Sequence, residues 1–359
     1  MAAWLDVGQA ADPGRVHTEG RIARVAIEEA REQVASLVGA RSREVVFTSS
    51  ATEAINAASW GAAAARPSGA FVLGAMEHSA VRESSGRAGA PLLEVPVDGT
   101  GRLDAGALAG LLPADAALVH CQWGNHEVGT LQPVEDVVAV CRERGVPVHL
   151  DAAQAAGHVP VDFDGLGADL MSVSAHKFGG PPGAGALLVR RGVRLAPFIV
   201  GGEQERARRA GMENVPALVG FGAAATAVDP SMESARQRHL TDKLLAGISA
   251  MEGVRVYGDT ERRLPHIVCV GVDGVEAEAV LLGLDQAGVA AHSGSSCSSE
   301  SLEPSPVLQA MGVDADHSLR VSVGWSTDDA DVDACLSALP GVIGRLRALG
   351  SRGAAQSGP

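Results

Sequence analysis

No stretch of this 359-residue sequence approaches the roughly 18 unbroken apolar residues that a membrane-spanning helix needs. The opening MAAWLDVGQA also lacks the basic segment and apolar run of an export signal. A soluble, cytoplasmic protein is expected. Basic residues are outnumbered: 29 Lys and Arg against 43 Asp and Glu give a formal net charge of −14. That potential repels nucleic-acid phosphates and anionic lipid, so no direct nucleic-acid partner and no membrane partner is expected. Cysteine is sparse; the five residues, Cys121, Cys141, Cys269, Cys297 and Cys335, are scattered and read as reduced thiols, with no zinc or dithiol spacing. No Gly-x-x-x-x-Gly-Lys stretch is present, which argues against a nucleoside triphosphate site. Rarest among the reactive groups is lysine, with only Lys177 and Lys243. Guanidinium stays protonated in proteins, so chemistry that requires an amine nucleophile has two candidates.

What is present is a regular alternation. Ile22, Val25, Ala26, Ala30, Val34 and Leu37 recur at helical spacing across 20–38. Short β-branched runs then follow at 45–48, 71–74, 92–95, 117–120, 146–150, 170–174 and 186–189, separated by Ala-rich helical stretches. The pattern predicts an α/β fold, a mainly parallel sheet covered by helices. Asp229-Pro230 interrupts it; a polar helix at 232–251, a strand at 267–272 and a helix at 276–287 come next. The length suffices for two domains. We expect a large domain over 12–228, a smaller C-terminal α+β domain over 229–349, and a disordered tail over 350–359, where Ser, Gly, Ala and Pro cannot offset their ordering entropy by burial.

Of the two lysines, Lys243 lies in RQRHLTDKLL and reads as a solvated helix side chain. Lys177 follows a buried strand in MSVSAHKFGGPPGAGALLVRR, between Ser174, His176 and a Gly/Pro loop that lets backbone approach a ligand. Asp151 in VPVHLDAAQAAG sits just past a strand, where ligands of open parallel sheets bind. It suits a partner of a protonated pyridine nitrogen or, equally, a helix N-cap. In EVVFTSSATEAINAASWGAA the chain passes from strand to helix with Ser50, Ala51 and Thr52 at the turn, which reads as an anion site or as ordinary capping. His78 in GAMEHSAV follows a strand too, placed to stack on a planar group and shuttle protons or to serve structurally. Cys297 lies in HSGSSCSSESLEPSPV, a Gly/Ser run over about 293–306 with little to bury it, which is either a mobile nucleophile or a linker. Arg320 in HSLRVSVGWST is predicted within a strand, facing an anion or solvent.

Taken together, these segments resemble the NifS/IscS-type cysteine desulfurases, class V members of the fold-type I pyridoxal 5′-phosphate (PLP) transferases. SATEA at 50–54, EHSAV at 77–81, HLDAAQ at 149–154, SAHKFGGPPGAGAL at 174–187 and SGSSCSSESLEPSPVLQAMG at 293–312 carry the likeness, in order. The resemblance implies that Lys177 holds PLP as a Schiff base, Asp151 pairs with the pyridine nitrogen, His78 stacks on the ring and acts as a catalytic group, and Gln154 bonds the phenolic oxygen. Ala51, Thr52, Ser174 and His176 would hold the phosphate. Asn125 and Arg320 would bind the substrate L-cysteine, and Cys297 would carry the persulfide to a sulfur-acceptor protein. A homodimer is implied as well. The long loop ending in SLEPSPVL resembles the subgroup whose mobile cysteine delivers sulfur to scaffolds.

Three departures stand out. The usual N-terminal Leu-Asp-x-x-Ala-Thr-Thr-Pro stretch is absent. His126 in NHEVG occupies the place of an asparagine whose amide contacts the cofactor oxygen. Met212 in RRAGMEN replaces a threonine that reaches the phosphate across the dimer interface, and a thioether cannot donate that bond. Two rival readings keep the fold: another PLP lyase or aminotransferase, selenocysteine lyase included, and a non-catalytic sulfur-transfer partner.

Overall fold

The computed structural model describes residues 1–6, 11–293 and 304–356. The chain forms two compact units. The first comprises Met1–Val95, Asp104–Trp123 and Gln132–Glu233, the second Pro96–Leu103, Gly124–Leu131 and Ser234–Pro359. One cut near 229 is what the composition predicts; instead two loops from the first half of the chain belong to the second unit. Within that unit, Leu131 N–H donates to the Arg262 carbonyl and Leu264 N–H to the Gly129 carbonyl, so strand-like bonds hold the second loop.

The first unit is built on seven strands: β1 (Val45–Thr48), β2 (Phe71–Gly74), β3 (Leu92–Val95), β4 (Leu118–Gln122), β5 (Val148–Asp151), β6 (Leu170–Ser174) and β7 (Gly185–Val189). Their order in the sheet is β1-β7-β6-β5-β4-β2-β3. The strands from β3 to β6 pair in parallel, as expected. β7 is the exception in this mainly parallel sheet, because it runs antiparallel to both β6 and β1. The reason is the connection: 175–184 holds only the 3-10 turn Ala175–Phe178, and a parallel return needs a crossover of about a dozen residues or more.

Strands covered on both faces read as mostly apolar runs, and β1, β2, β4, β5, β6 and β7 are buried at every position. Ala54, Ala58 and Ala62 of the helix Ala51–Ala65 pack with Val46, Phe71, Leu118, Leu170 and Leu187. Small side chains at i, i+4 and i+8 let that helix lie close to the sheet, which fixes where its N-terminus points.

In the second unit, β8 (Val254–Tyr257), β9 (Ile267–Val272), β10 (His292–Ser293) and β11 (Ser318–Ser322) form an antiparallel sheet in the order β10-β11-β9-β8. Its core joins Leu240, Leu244 and Ile248 of the helix Pro230–Ser249 to Val268, Val270, Leu284, Leu319 and Leu339. That helix opens on Asp229, whose carboxylate accepts the Ser231 and Met232 N–H groups, with Pro230 at the first helical position, where it lacks no bond. The final helix, Asp329–Gln356, continues through most of 350–359, where disorder is expected. Among the described residues no helix is long and apolar enough to cross a membrane.

Candidate active site

The parallel strands of the first unit end together, and the chemistry-bearing residues follow those ends. Asp151 closes β5, with Gln122 of β4 and Ser172 of β6 as its register partners. Its Oδ1 accepts the Ser172 hydroxyl at 2.9 Å and the Ala153 N–H at 3.0 Å. The carboxylate is thus buried and aimed, and it closes a tight turn rather than capping a regular helix.

At the end of β1 the chain turns into the helix Ala51–Ala65. Capping falls to Ser50, whose Oγ accepts the Glu53 N–H at 3.2 Å, while the Glu53 carboxylate accepts the Ser49 N–H at 2.9 Å. Ala51 and Thr52 occupy the first turn, with Thr52 exposed. Gly185 sets what lies beside them, since it is the register partner of both Thr48 and Ser174. A Cβ there would stand 2.6 Å from the Ser50 carbonyl carbon. Only glycine lets the turn lie this close, which gathers the helix N-terminus and Ser174 around one residue. Ser174 Oγ in turn meets His176 Nδ1 at 2.9 Å. Burial first, and then the Lys177 charge, lower the His176 pKa from its ordinary value.

Lys177 is exposed, on the 3-10 turn that follows β6. His158 Nε2 donates to its carbonyl at 2.9 Å, and Gly179, at φ 88°, closes the turn in the left-handed region. The other lysine, Lys243, is engaged with Asp329 and Asp333 at 3.1 and 2.7 Å. His78 caps the helix Ser79–Arg87, its Nδ1 accepting the Ala80 N–H at 3.0 Å. With that lone pair in use, the neutral ring carries its proton on Nε2 and presents a donor. The turn before it is stitched to β4: the Gln122 N–H donates to Glu77 Oε1 at 2.7 Å, and the Gln122 amide donates to the Met76 carbonyl. Gln154 is half-buried in the turn after β5.

The residues that fell in the second unit share a smaller network. Asn125, fully buried, accepts the N–H groups of Glu127 and Val128 on Oδ1, each at 2.8 Å, and so builds the turn 125–129. Arg320, on β11, donates to the His126 carbonyl at 2.8 Å. His126 Nε2 lies 3.5 Å from Glu127 Oε1, and Glu127 Oε2 accepts the hydroxyl of Ser305, the N-cap of the helix Pro306–Ala310. Cys297 lies outside the described residues. The four described cysteines are buried thiols. Burial pushes Cys141 and Cys269 up to about 12, the former aided by Asp169 and the latter by Glu127, and raises Cys335; such thiols are poor nucleophiles.

Ala51, Thr52, His78, Asp151, Gln154, Ser174, His176 and Lys177 are therefore found at one edge of the first unit's sheet, and Asn125, His126 and Arg320 together in the second unit. Sequence reasoning missed the supports: Ser172, Glu77, Gln122, His158, Glu127 and Ser305. Position was the signal for three of them: Ser172 stands two residues before Ser174, and Glu77 and Glu127 stand next to His78 and His126, while Gln122, His158 and Ser305 carried none. The first-unit residues suit a planar cofactor with a phosphate tail. A helix N-terminus beside Gly185 suits an anion, Asp151 ends β5, and the exposed Lys177 follows the next strand.

An IscS-like cysteine desulfurase of Mycobacterium tuberculosis is 43% identical over 361 residues, covering 95% of this chain and 92% of that protein. A solved NifS-like protein superposes with a TM-score of 0.88 at 32% identity, covering 94% of this chain and 93% of the other. A structure described as SspA in complex with cysteine superposes with a TM-score of 0.79 at 30% identity, covering 88% and 91%. The family model for class-V aminotransferases matches residues 7–335, and the chain belongs to that family.

Proposed function

We propose that this protein is a PLP-dependent cysteine desulfurase that converts L-cysteine to L-alanine and leaves the sulfur as a persulfide on Cys297. The observation that carries the reading is the setting of Asp151, a buried carboxylate fixed by Ser172 and Ala153 at the end of β5, with Lys177 on the turn that follows the neighbouring strand β6. When bound, the cofactor supplies an electron sink for the pair released at the substrate Cα.

The chain's residues supply the rest. Lys177 attaches the cofactor through its ε-amine and, once released, takes and returns the Cα proton. Asp151 keeps the ring nitrogen cationic. His78 would stack on the ring with Nε2–H as a donor, Gln154 would donate to the phenolic oxygen, and His126 would be a further donor. Ala51, Thr52, Ser174 and His176 hold the phosphate. Asn125 and Arg320 take the substrate, the arginine through its carboxylate. The Cys297 thiolate attacks the substrate sulfur; the S–Cβ bond breaks, an S–S bond forms, and Cβ gains a proton. L-cysteine and a thiol thus become L-alanine and a persulfide, which passes to an acceptor protein.

Trp60, Val200 and Met212 of the first unit are 54%, 77% and 72% exposed, an apolar set that a second copy would cover in a homodimer. Buried thiols beside one working cysteine suit a reducing, cytoplasmic setting. The test incubates the protein with PLP and L-cysteine and measures alanine and persulfide for the wild type, Lys177→Ala and Cys297→Ser. Alanine with Cys297 persulfide in the wild type alone is expected. Alanine without persulfide would indicate another lyase, and no turnover a non-catalytic relative.

A further inference from the structure

One side-chain layer beneath Asp151 lies a buried polar chain that the proposed reaction does not use. His149 precedes Asp151 by two residues on β5, so both leave the same face of the sheet. Its register partner on β4 is His120. Both imidazoles are fully buried, and their Nδ1 atoms are 3.0 Å apart. His120 Nε2 reaches Ser59 Oγ at 3.3 Å, Ser59 Oγ meets Ser84 Oγ at 2.9 Å, and Ser84 donates to the Val81 carbonyl at 3.2 Å. Phe71 stacks on the His120 ring at 5.9 Å.

The protons in this chain have one consistent order. Ser84 gives its hydrogen to Val81, so Ser84 Oγ accepts from Ser59, and Ser59 accepts from His120 Nε2–H. His120 Nδ1 is then the acceptor for His149 Nδ1–H. His149 Nε2 remains a bare lone pair, and among the described residues it has no hydrogen-bond partner. The reverse order would place an N–H at that atom with no acceptor, the costlier defect in a buried site. Both rings are neutral, since burial lowers His120 to about 3 and His149 well below its ordinary value.

What the chain joins gives it meaning. β5 ends in Asp151. The helix Ala51–Ala65 carries Ser59 and, at its start, Thr52. The helix Ser79–Arg87 carries Ser84 and is capped by His78. We propose that His120 is a positioning residue of the cofactor site, the node of a directional chain, His149–His120–Ser59–Ser84, that sets Asp151, the Ser50–Thr52 turn and His78 in register with one another. Apolar side chains would fill the same volume without fixing direction; paired donors and acceptors lock spacing and rotation together. The inference rests on the reading that the first unit binds PLP.

Titration of the apoprotein with PLP, followed by absorbance and by quenching of intrinsic fluorescence, tests it for the wild type, His120→Leu and His120→Gln, with folding checked by circular dichroism. The leucine variant should bind PLP about tenfold more weakly, one lost buried hydrogen bond's worth, with a shifted cofactor absorption band. The glutamine variant, whose amide accepts from His149 and donates to Ser59 in the same order, should stay within about threefold of wild type. A folded leucine variant with wild-type affinity, or a glutamine variant as weak as leucine, would overturn the proposal. If the leucine variant does not fold, Ser84→Ala, which strips the acceptor from Ser59, takes its place: weaker PLP binding is expected, and unchanged affinity overturns. A wild type that binds no PLP refutes the functional reading itself, and this inference with it.

Discussion

Acidification from pH 7.5 to 5 should destabilise the first unit through the same two imidazoles. His120 titrates at about 3 in the folded chain, against 6.5 for an ordinary histidine, because burial penalises its cation. His149 is depressed by burial and then by His120. For a base whose folded pKa is lowered, the unfolded state takes up the proton first. Stability is therefore complete above pH 6.5, falls as the pH drops below it, and stops falling only near 3. At pH 5 the unfolded His120 gains about 2 kcal/mol from protonation that the folded residue does not share, a large part of a typical total of roughly 5–15 kcal/mol. His149 acts in the same direction. Urea unfolding of the apoprotein, followed by far-ultraviolet circular dichroism across this window, measures the loss. His120→Gln removes one titrating group and keeps the bonds, so its stability should fall by about 2 kcal/mol less than that of wild type. Parallel stability curves for the two proteins would refute the reasoning.

The strands of the first unit were legible because burial on both faces writes itself as short apolar runs, and β1, β2 and β6 begin and end where the letters predict. The residues that follow those strands were legible for a related reason: Gly, Ser and Pro beside Lys177 and Thr52 announce turns at strand ends. The direction of β7 was not, since pairing depends on what the connection 175–184 can span, and composition does not encode that. The loops 96–103 and 124–131 were illegible too; their second-unit bonds, such as Asp259 N–H to Thr130 Oγ1, join residues far apart in sequence. His120 and His149 were not singled out from the sequence, because the pairing that satisfies them exists only once β4 lies beside β5. Two histidines in buried strands, each two residues before a polar strand end, were the available sign.

Three further outcomes are expected. Ser172→Ala removes one of the two donors on Asp151 and should weaken PLP binding by about five- to tenfold, read by equilibrium titration; unchanged affinity would remove Ser172 from the site. Ser305→Ala deletes both a helix cap and the donor to buried Glu127 and should cost about 1–2 kcal/mol in urea unfolding, which a wild-type midpoint would contradict. Glu205→Gln tests the stability of the segment that carries Met212. Glu205, Arg206 and Ala207 hold φ of 48°, 59° and 58°, a left-handed run of non-glycine residues that costs about 1–2 kcal/mol each. Something must hold them there. Glu205 is clamped by Arg31 through two bonds of 2.6 and 2.7 Å and by the Phe47 N–H at 2.9 Å, while Arg209 grips Glu53 at 2.9 and 3.2 Å. Because Arg31 and Glu205 are both buried, neutralising Glu205 leaves Arg31 with only the more exposed Glu28, at 3.2 Å, and should cost up to about 3–5 kcal/mol. The strained turn would then relax before the sheet unfolds, so limited proteolysis should cut near 205–207 in the variant and not in the wild type. Equal resistance of the two proteins would mean that the ion pair does not hold the turn.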